Sequence, residues 1–271
     1  MIYPLDSDSC RKVGDIIFTE ERISKILEIV NEKKSVTVQE LSSLLNVCEV
    51  TIRKDLNKLD EMGLIKRTHG GAIAIVNVQF EPSLFERECK NLSVKSRIGK
   101  LAVDLIKNND TIILDSGTTT YQIAKNIKCK GFTNLTIITN SIPIAYELMN
   151  CSNIHLIVLG GECRSLTGAL VGSFTESILR NLYVDKVFLG ANGLSLERGL
   201  TAPNPTEANT KMMMAKSAKK RIGVLDHTKI GQEYLVSFCP LSELDILVID
   251  RELSPEYVEL LRDAGIEVLL A

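Results

Sequence analysis

The stretch SVTVQELSSLLNVCEVTIRKDLNKLDEMGLIKRTHGG, residues 35–71, decides the fold of the first part of the chain. Thr37 and Glu40 have the spacing of a capping box, in which the hydroxyl accepts one backbone N–H and the carboxylate accepts another. The residues that follow have helical apolar spacing, and residues 46–48 interrupt it as a tight turn would. We therefore predict a short helix whose apolar stripe consists of Leu41, Leu44 and Leu45.

A second amphipathic helix is predicted from Glu49, with Met62 closing its apolar face and Gly63 in the left-handed position that ends many helices. Its inward positions are Ile52, Leu56 and Leu59. Its outward positions are polar and mostly cationic, namely Thr51, Arg53, Lys54, Asn57 and Lys58. A helix with such a face can enter the major groove of DNA and present its amino-terminal half to base edges.

Residues 64–73 have the pattern of two short strands around a basic tip, which is typical of the wing of a winged helix. Basic helix faces are often merely solvated, and capping boxes occur in many helices that bind nothing. The order of helix, turn, basic helix, glycine stop and basic hairpin nevertheless favours DNA binding. The residues predicted at the DNA interface are Thr37, Glu49, Thr51, Arg53, Lys54, Asn57, Lys58, Lys66, Arg67 and His69.

Residues 20–73, with VTIRKDLNKLDEMGLIKRTHGGAI at their centre, resemble the amino-terminal domain of DeoR-family transcriptional regulators. The resemblance includes the helix, the glycine stop and the THGG wing in the same order. Cys48 departs from it, because the family commonly has a serine that caps the recognition helix. Cysteine is a poor cap, so up to about 1 kcal/mol of helix stability is expected to be missing.

The composition is that of an ordinary globular protein long enough for two domains, with 271 residues, 45% of them apolar and 24% charged. A net charge of −2 requires any field that attracts DNA to be local. The seven cysteines are scattered without CxxC spacing, so we predict neither a disulfide framework nor a metal site, and a reducing cytoplasm fits this usage. No apolar run is long enough for a membrane helix, and the acidic amino terminus does not fit a signal peptide.

The predicted organisation is an extension at residues 1–18, a winged helix-turn-helix domain at 19–73, a linker at 74–94 and a mostly parallel α/β domain at 95–271. The last prediction rests on apolar runs that alternate with helical patterns. We predict strands at 111–114, 135–139, 154–159, 186–189, 221–225, 246–249 and 266–270. Helices are predicted at 83–88, 95–107, 119–127, 142–149, 175–182, 207–220 and 255–264.

Polar and glycine-rich residues follow five of these strands, at the edge of a parallel sheet where ligands bind. The turn DSGTTT, residues 115–120, has a close-approach glycine, hydroxyls and the start of a helix, which suits a phosphate. It lacks the signatures of a P-loop and of a dinucleotide fold, so a monophosphate fits better than a nucleotide. The simpler alternative is that its serine and threonines only cap a helix.

The DeoR-family resemblance continues through LDSGTTT, TNS, LGGE, GALVG, FLGANG, GLT and LDHTKIG. It implies a fold similar to ribose-phosphate isomerases, no cofactor, phosphate at residues 116–120, and a sugar pocket lined by Asp115, Glu162, Gly190, Lys211, Asp226 and Lys229. The complete set predicted to bind the effector is Asp115, Ser116, Gly117, Thr118, Thr119, Thr120, Asn140, Gly160, Gly161, Glu162, Gly190, Asn192, Lys211, Asp226 and Lys229.

The function that follows is a homo-oligomeric repressor of a sugar-utilisation operon, released from double-stranded operator DNA by a phosphorylated sugar. One alternative is an active sugar-phosphate isomerase with a regulatory head, in which Glu162 or Asp226 acts as a general base near Lys211. Another is a transcriptional activator, which residues alone cannot distinguish from a repressor. For Lys211 itself, a further alternative is an exposed i, i+4 pair with Glu207.

Overall fold

A computed structural model describes residues 19–33, 35–74 and 84–271, which belong to two compact units with the boundary after residue 80. The predicted extension at 1–18 and residues 75–83 of the predicted linker lie outside the described residues. In the described part of the chain, no helix is both long enough and apolar enough to cross a membrane.

The described residues of the first unit form three helices and a three-stranded antiparallel sheet in the order β1-β3-β2. Its elements are α1 (Thr19–Lys33), β1 (Ser35–Thr37), α2 (Val38–Leu45), α3 (Glu49–Glu61), β2 (Ile65–Arg67) and β3 (Gly71–Ala74). Ile26, Leu41 and Leu56 are fully buried and come from the three helices in turn. This is the predicted winged helix-turn-helix. The sequence pattern missed β1, because three residues are too few to show a strand period.

The predicted helix ends of α2 and α3 are confirmed. Thr37 and Glu40 form both hydrogen bonds of the capping box. Gly63 has φ of 70°, and the Leu64 amide donates to the Leu59 carbonyl at 2.9 Å, which closes α3 as predicted. The predicted inward stripe of α2 is wrong in one position. Leu44 is 57% exposed, because α2 is only eight residues long and buries only Val38 and Leu41.

The second glycine of the wing has a steric role. A Cβ on Gly71 would lie 1.9 Å from the carbonyl oxygen of Val36 on β1, closer than any real contact. Gly71 pairs with Thr37 in the register of β1 and β3, so the backbone of the wing approaches the start of α2 directly. The amide of Val38 also donates to the Gly70 carbonyl at 2.9 Å. The glycine pair therefore fixes the wing beside the helix-turn-helix.

The second unit contains seven helices and twelve strands in the part of the chain described. Its elements up to β8 are α4 (Leu84–Cys89), α5 (Leu92–Ala102), β4 (Thr111–Leu114), α6 (Thr118–Ile127), β5 (Leu135–Thr139), α7 (Ile142–Leu148), β6 (Ile154–Val158), β7 (Glu162–Arg164) and β8 (Ala169–Val171). The rest are α8 (Ser173–Leu179), β9 (Val184–Leu189), β10 (Gly193–Ser195), β11 (Gly199–Ala202), α9 (Pro205–Lys216), β12 (Ala218–Val224), β13 (Val236–Cys239), β14 (Ile246–Ile249), α10 (Pro255–Asp263) and β15 (Glu267–Leu270).

Seven of these strands form one parallel sheet in the order β15-β14-β12-β9-β4-β5-β6. Successive side chains point to opposite faces of a strand. Ile113 therefore belongs to one buried apolar cluster, whereas Ile112 and Leu114 belong to the other. The predicted parallel α/β fold, covered on both faces, is confirmed. The carboxyl ends of the strands carry the polar turns that follow.

Several elements of the second unit differ from the prediction. The helix predicted at 95–107 begins at Leu92 and ends at Ala102. The hairpin β7–β8 and the small sheet β10-β11-β13 were not predicted, since their strands have three or four residues. The helix predicted at 207–220 ends at Lys216. Ser217 donates its hydroxyl to the Leu179 carbonyl at 2.9 Å, and Ala218 then pairs with Val184 in the parallel sheet. This pairing overrides the local helical propensity of the lysines that follow.

Candidate functional site

Helix α3 has one buried face and one exposed cationic face. Ile52, Leu56 and Leu59 are buried, as predicted. Of the predicted outward residues, Arg53, Lys54, Asn57 and Lys58 are exposed and Thr51 is half-buried. Asp55 on the same helix is also buried, a feature that the sequence pattern missed. Its carboxylate accepts a hydrogen bond from Arg22 of α1 at 2.7 Å, which fixes the orientation of α3.

The other predicted DNA-contacting residues differ in exposure and in the contacts that their side chains make within the protein. Lys66 on β2 and His69 at the wing tip are exposed. Arg67 is half-buried, and its guanidinium donates to the Gly71 carbonyl at 3.2 Å. Thr37 is exposed but its hydroxyl bonds with Glu40 in the capping box. Glu49 forms an exposed ion pair with Arg53 at 3.0 Å. The side chains of Thr37 and Glu49 are thus engaged with neighbouring side chains in this structure.

Cys48 occupies the position before α3 where a capping side chain belongs, and it makes no capping hydrogen bond. Its sulfur lies 3.2 Å from the Thr51 hydroxyl oxygen, and this hydrogen bond lowers the pKa of the exposed Cys48 thiol below its ordinary value. The backbone at Cys48 nevertheless has the extended conformation of a normal N-cap. The structure therefore confirms the expectation from the sequence that no side chain caps the start of α3.

The turn between β4 and α6 is held by buried hydrogen bonds from neighbouring strand ends. Asp115 is fully buried and accepts the Gly190 amide at 3.1 Å. The Ser116 amide donates to the side-chain oxygen of Asn140 at 3.0 Å. The Thr120 hydroxyl donates to the Asp115 carbonyl at 2.6 Å. Several predicted effector residues are therefore brought together, but these groups are used to shape the turn.

Lys211 is enclosed by protein acceptors at the centre of this framework. Only 2% of the residue is exposed, and its ammonium contacts the Asp115 carboxylate and the Gly190 carbonyl, the latter at 3.2 Å. Glu207 lies 3.8 Å away and pairs in turn with Arg164. Burial raises the pKa of Asp115 although the ammonium opposes this shift. The alternative of an exposed Lys211–Glu207 pair is wrong, because both residues are buried.

A cleft opens beside the first turn of α6. Its polar lining residues are Glu88, Gly117, Thr118, Tyr121, Ser141 and Thr167, and Leu84 and Pro143 add apolar wall. Gly117 offers no capping side chain, and the first N–H groups of a helix have no intrahelical acceptor. The cleft therefore combines backbone donors, the positive end of a helix dipole and four hydroxyl groups, which is a suitable environment for a phosphate ester.

A cationic cluster lies around Asp226, at the carboxyl end of β12. Asp226 accepts a hydrogen bond from Asn91 at 3.3 Å and interacts electrostatically with Lys95 and Lys229. Lys95 is buried and donates to the carbonyls of Arg87 and Lys90. Sequence analysis predicted Asp226 and Lys229 but missed Lys95 and the two linker residues Arg87 and Lys90, because no local pattern shows that this segment folds against a strand end.

The charges of this cluster are strongly affected by burial. Burial lowers the pKa of Lys95 to about 8, and it also lowers the pKa of Lys229 although Asp226 opposes that shift. For Asp226, burial is outweighed by the Thr228 hydrogen bond and the nearby lysines, so its pKa lies below the ordinary value. Positive charges concentrated in a partly desolvated site favour an anionic ligand.

Of the fifteen predicted effector residues, only Gly117 and Thr118 line the cleft, and four of the others lie on separate turns in the described part of the chain. Gly160, Gly161 and Glu162 are exposed where β6 leads into the β7–β8 hairpin, and none of them lines the cleft. The Asn192 amide donates to the Thr201 carbonyl at 3.1 Å, within the small sheet beside the strand ends. These positions follow strands, as predicted, and the turn of the β7–β8 hairpin reaches the cleft through Thr167 instead.

One group of residues has the composition of a metal site. Ligand atoms of His227, Asp250 and Glu252 lie within 4.8 Å of one another. The Asp250 carboxylate, however, already accepts the His227 amide and ring nitrogen, both at 2.8 Å, and the Glu252 amide at 3.2 Å. These bonds account for the cluster as a structural support of the turn after β12.

Comparison with known proteins agrees with both units. Residues 22–78 match the model of the DeoR-like helix-turn-helix domain, and residues 90–251 match that of the DeoR C terminal sensor domain. The chain belongs to the DeoR family of transcriptional regulators. It is 35% identical to the HTH-type transcriptional regulator GolR of Listeria innocua, over 94% of this chain and 100% of that protein. It is therefore a DNA-binding regulator and not an enzyme.

One further relative and one solved structure are also similar to the chain. The chain is 35% identical to the lactose phosphotransferase system repressor of Staphylococcus epidermidis, over 89% of this chain and 98% of that protein. The solved structure of ribose 5-phosphate isomerase from Methanocaldococcus jannaschii is 18% identical, with a TM-score of 0.39 over 52% of this chain and 55% of that chain. The latter likeness is too weak to say anything about function.

Proposed function

We propose that this DeoR-family protein represses a sugar-utilisation operon and is released from its operator by a phosphorylated sugar. The observation that carries the proposal is the cleft at the start of α6, where Thr118 and Ser141 meet a helix end without a capping side chain. The similarity to the lactose phosphotransferase system repressor of Staphylococcus epidermidis supports repression of a sugar system. Such a repressor acts in the cytoplasm, where operator DNA lies.

The exposed face of α3 is proposed as the operator-reading surface. Arg53, Lys54 and Asn57 project from it, and Arg and Asn are the side chains that best discriminate bases in the major groove. Lys66 and His69 on the wing would lie over the phosphate backbone beside the groove. A single head of this size reads one half-site, so we propose a homo-oligomer that places two heads on a two-fold symmetric operator.

The effector phosphate is proposed to lie at the α6 end, with the cluster of Lys95 and Lys229 providing a positive field. Asp115, Asn140 and Lys211 would act as positioning residues, because their polar groups already bond within the protein. A sugar phosphate shifts the protein away from its DNA-competent state only through a difference in affinity between the two states.

Thr118→Asp tests the proposal, because it places a negative charge where the phosphate would lie. An acidic residue in the first turn of a helix does not destabilise it, so the variant should fold as well as the wild type. Ser173→Asp is the matched control, since Ser173 is the exposed first residue of α8 and does not line the cleft.

The measurement is a thermal-shift screen with inorganic phosphate, glucose 6-phosphate, fructose 6-phosphate and ribose 5-phosphate. A ligand at 100 times its dissociation constant should stabilise the wild type and Ser173→Asp by about 2.7 kcal/mol. Thr118→Asp should show no shift and should stay on operator DNA at ligand concentrations that release the other two. Equal shifts in all three proteins would disprove the phosphate site.

A further inference from the structure

We propose that Glu88 on helix α4 recognises a hydroxyl group of the sugar, so that the effector binds directly to the first described helix after the chain leaves the DNA-binding unit. This inference rests on the proposed function and adds the residue that distinguishes a sugar phosphate from phosphate alone. Glu88 lines the cleft together with Gly117 and Thr118 of the α6 end.

The Glu88 carboxylate is the negatively charged group in the lining of the cleft. It is half-buried, and among the residues that the structure describes none forms a hydrogen bond or an ion pair with it. Its charge is felt by Tyr121, which also lines the cleft and whose phenol donates to Glu147 at 2.7 Å. A carboxylate without donors is poorly placed beside a phosphate, but it is a strong acceptor for sugar hydroxyls.

The position of Glu88 is fixed by contacts at both ends of α4. At its start, the Leu84 amide donates to the Leu166 carbonyl at 2.9 Å, in the turn of the β7–β8 hairpin. At its end, the buried ammonium of Lys95 donates to the carbonyl of Lys90 at 2.6 Å. Short helices of this size are not stable alone, so these contacts define where α4 lies.

Those same contacts connect α4 to two parts of the proposed effector site. Leu166 precedes Thr167, a buried residue that also lines the cleft. Lys95 belongs to the cationic cluster around Asp226. Helix α4 is thus already held by one contact to the hairpin and one to Lys95. A ligand that donates a hydrogen bond to Glu88 would add a third contact. Residues 75–83 connect the wing to α4 in the sequence. A sugar bound to Glu88 would therefore contact the first described helix that follows the DNA-binding unit along the chain.

Glu88→Gln tests the role of the carboxylate without changing the size of the side chain, and Glu88→Ala removes the side chain. Glu259→Gln is the matched control, because Glu259 is an exposed glutamate on α10 and does not line the cleft. The full-length proteins are titrated with inorganic phosphate and with glucose 6-phosphate, fructose 6-phosphate and ribose 5-phosphate. Unfolding without ligand confirms that each variant is folded.

We expect Glu88→Gln to bind the preferred sugar phosphate at least tenfold more weakly than the wild type and Glu259→Gln do. It should bind inorganic phosphate equally well or more tightly, because a like charge has been removed. Hydrogen exchange in α4 should slow when the sugar phosphate binds to the wild type and should not change with inorganic phosphate. Glu88→Ala should likewise lose the preference for the sugar phosphate over inorganic phosphate.

Unchanged sugar-phosphate affinity in Glu88→Gln, or an equal loss for phosphate and sugar phosphate, would overturn the role of Glu88 and leave the phosphate site intact. A wild type that binds inorganic phosphate as tightly as every sugar phosphate would do the same. A wild type that binds none of the four compounds would overturn the proposed function, and this inference with it.

Discussion

The ammonium of Lys211 lies against the carboxylate of Asp115, and the two side chains are only 3% and 0% exposed. Removal of one partner from a buried ion pair leaves an uncompensated charge in a medium that solvates it poorly. Lys211→Met keeps a side chain of similar length but loses the charge. We expect it to lower the free energy of unfolding by about 3 to 5 kcal/mol, measured by urea denaturation.

The matched control for this prediction is Lys219→Met. Lys219 pairs with Asp185 at 2.9 Å, but the two side chains are 51% and 37% exposed. Exposed pairs contribute at most about 1 kcal/mol, so this variant should unfold almost as the wild type does. The double variant Asp115→Asn, Lys211→Met should recover part of the loss, because neither charge remains. Equal effects of Lys211→Met and Lys219→Met would contradict the enclosed pair.

Phosphate binding should depend on pH through Lys95. Burial lowers the pKa of this lysine from 10.5 to about 8, so its positive charge is lost over a range in which an ordinary exposed lysine stays charged. Affinity for inorganic phosphate should therefore fall between pH 7 and pH 9, as measured by isothermal titration calorimetry. Lys95→Arg, which stays charged, should reduce this fall.

The effect of Lys95 on stability has the opposite sign. Between pH 8 and about pH 10.4 the unfolded chain binds more protons at this lysine than the folded chain does. The contribution of Lys95 to the free energy of unfolding therefore increases as pH rises through that window. Lys95→Arg should show a smaller increase in urea denaturation at pH 8 and pH 10. An identical pH dependence in both proteins would show that Lys95 is not desolvated.

Local signals predicted much of the fold. The Thr37–Glu40 capping box and the left-handed Gly63 depend on neighbours within four residues in sequence, and the structure contains both. Lys95 could not be placed in this way. Its importance comes from Asp226, from the Arg87 carbonyl in α4 and from the Lys90 carbonyl just after that helix, which only the folded chain brings together. The enclosure of Lys211 likewise depends on Asp115, which lies far away in sequence.

Cys48→Ser should stabilise helix α3. The backbone at Cys48 already has the extended N-cap conformation, and the thiol forms no capping hydrogen bond. A serine hydroxyl can accept the free amide of the first turn, which contributes about 0.5 to 1 kcal/mol. Hydrogen exchange of the α3 amides should slow accordingly. Cys129→Ser, at an exposed position in the second unit, should leave the exchange of those amides unchanged. Slower exchange of the α3 amides in both variants would show that the change does not come from capping of α3.

Arg53→Ala should weaken specific operator binding by about 1 to 3 kcal/mol, as measured by fluorescence anisotropy at fixed salt. Arg53 is exposed on α3, and its only ion pair among the described residues is with Glu49, at 3.0 Å and largely exposed to solvent. Such a pair is weak enough to be exchanged for a base or a phosphate. Glu49→Gln should therefore bind DNA at least as tightly as the wild type.

The salt dependence of binding then shows which kind of contact Arg53 makes. Loss of a phosphate contact lowers the slope of log affinity against log salt concentration by about 1, whereas loss of a base contact leaves the slope unchanged and relaxes discrimination at one position. Arg180→Ala is the control, because Arg180 is an exposed arginine at the end of α8 in the other unit. If Arg53→Ala and Arg180→Ala bound the operator equally well, α3 could not be the surface that reads it.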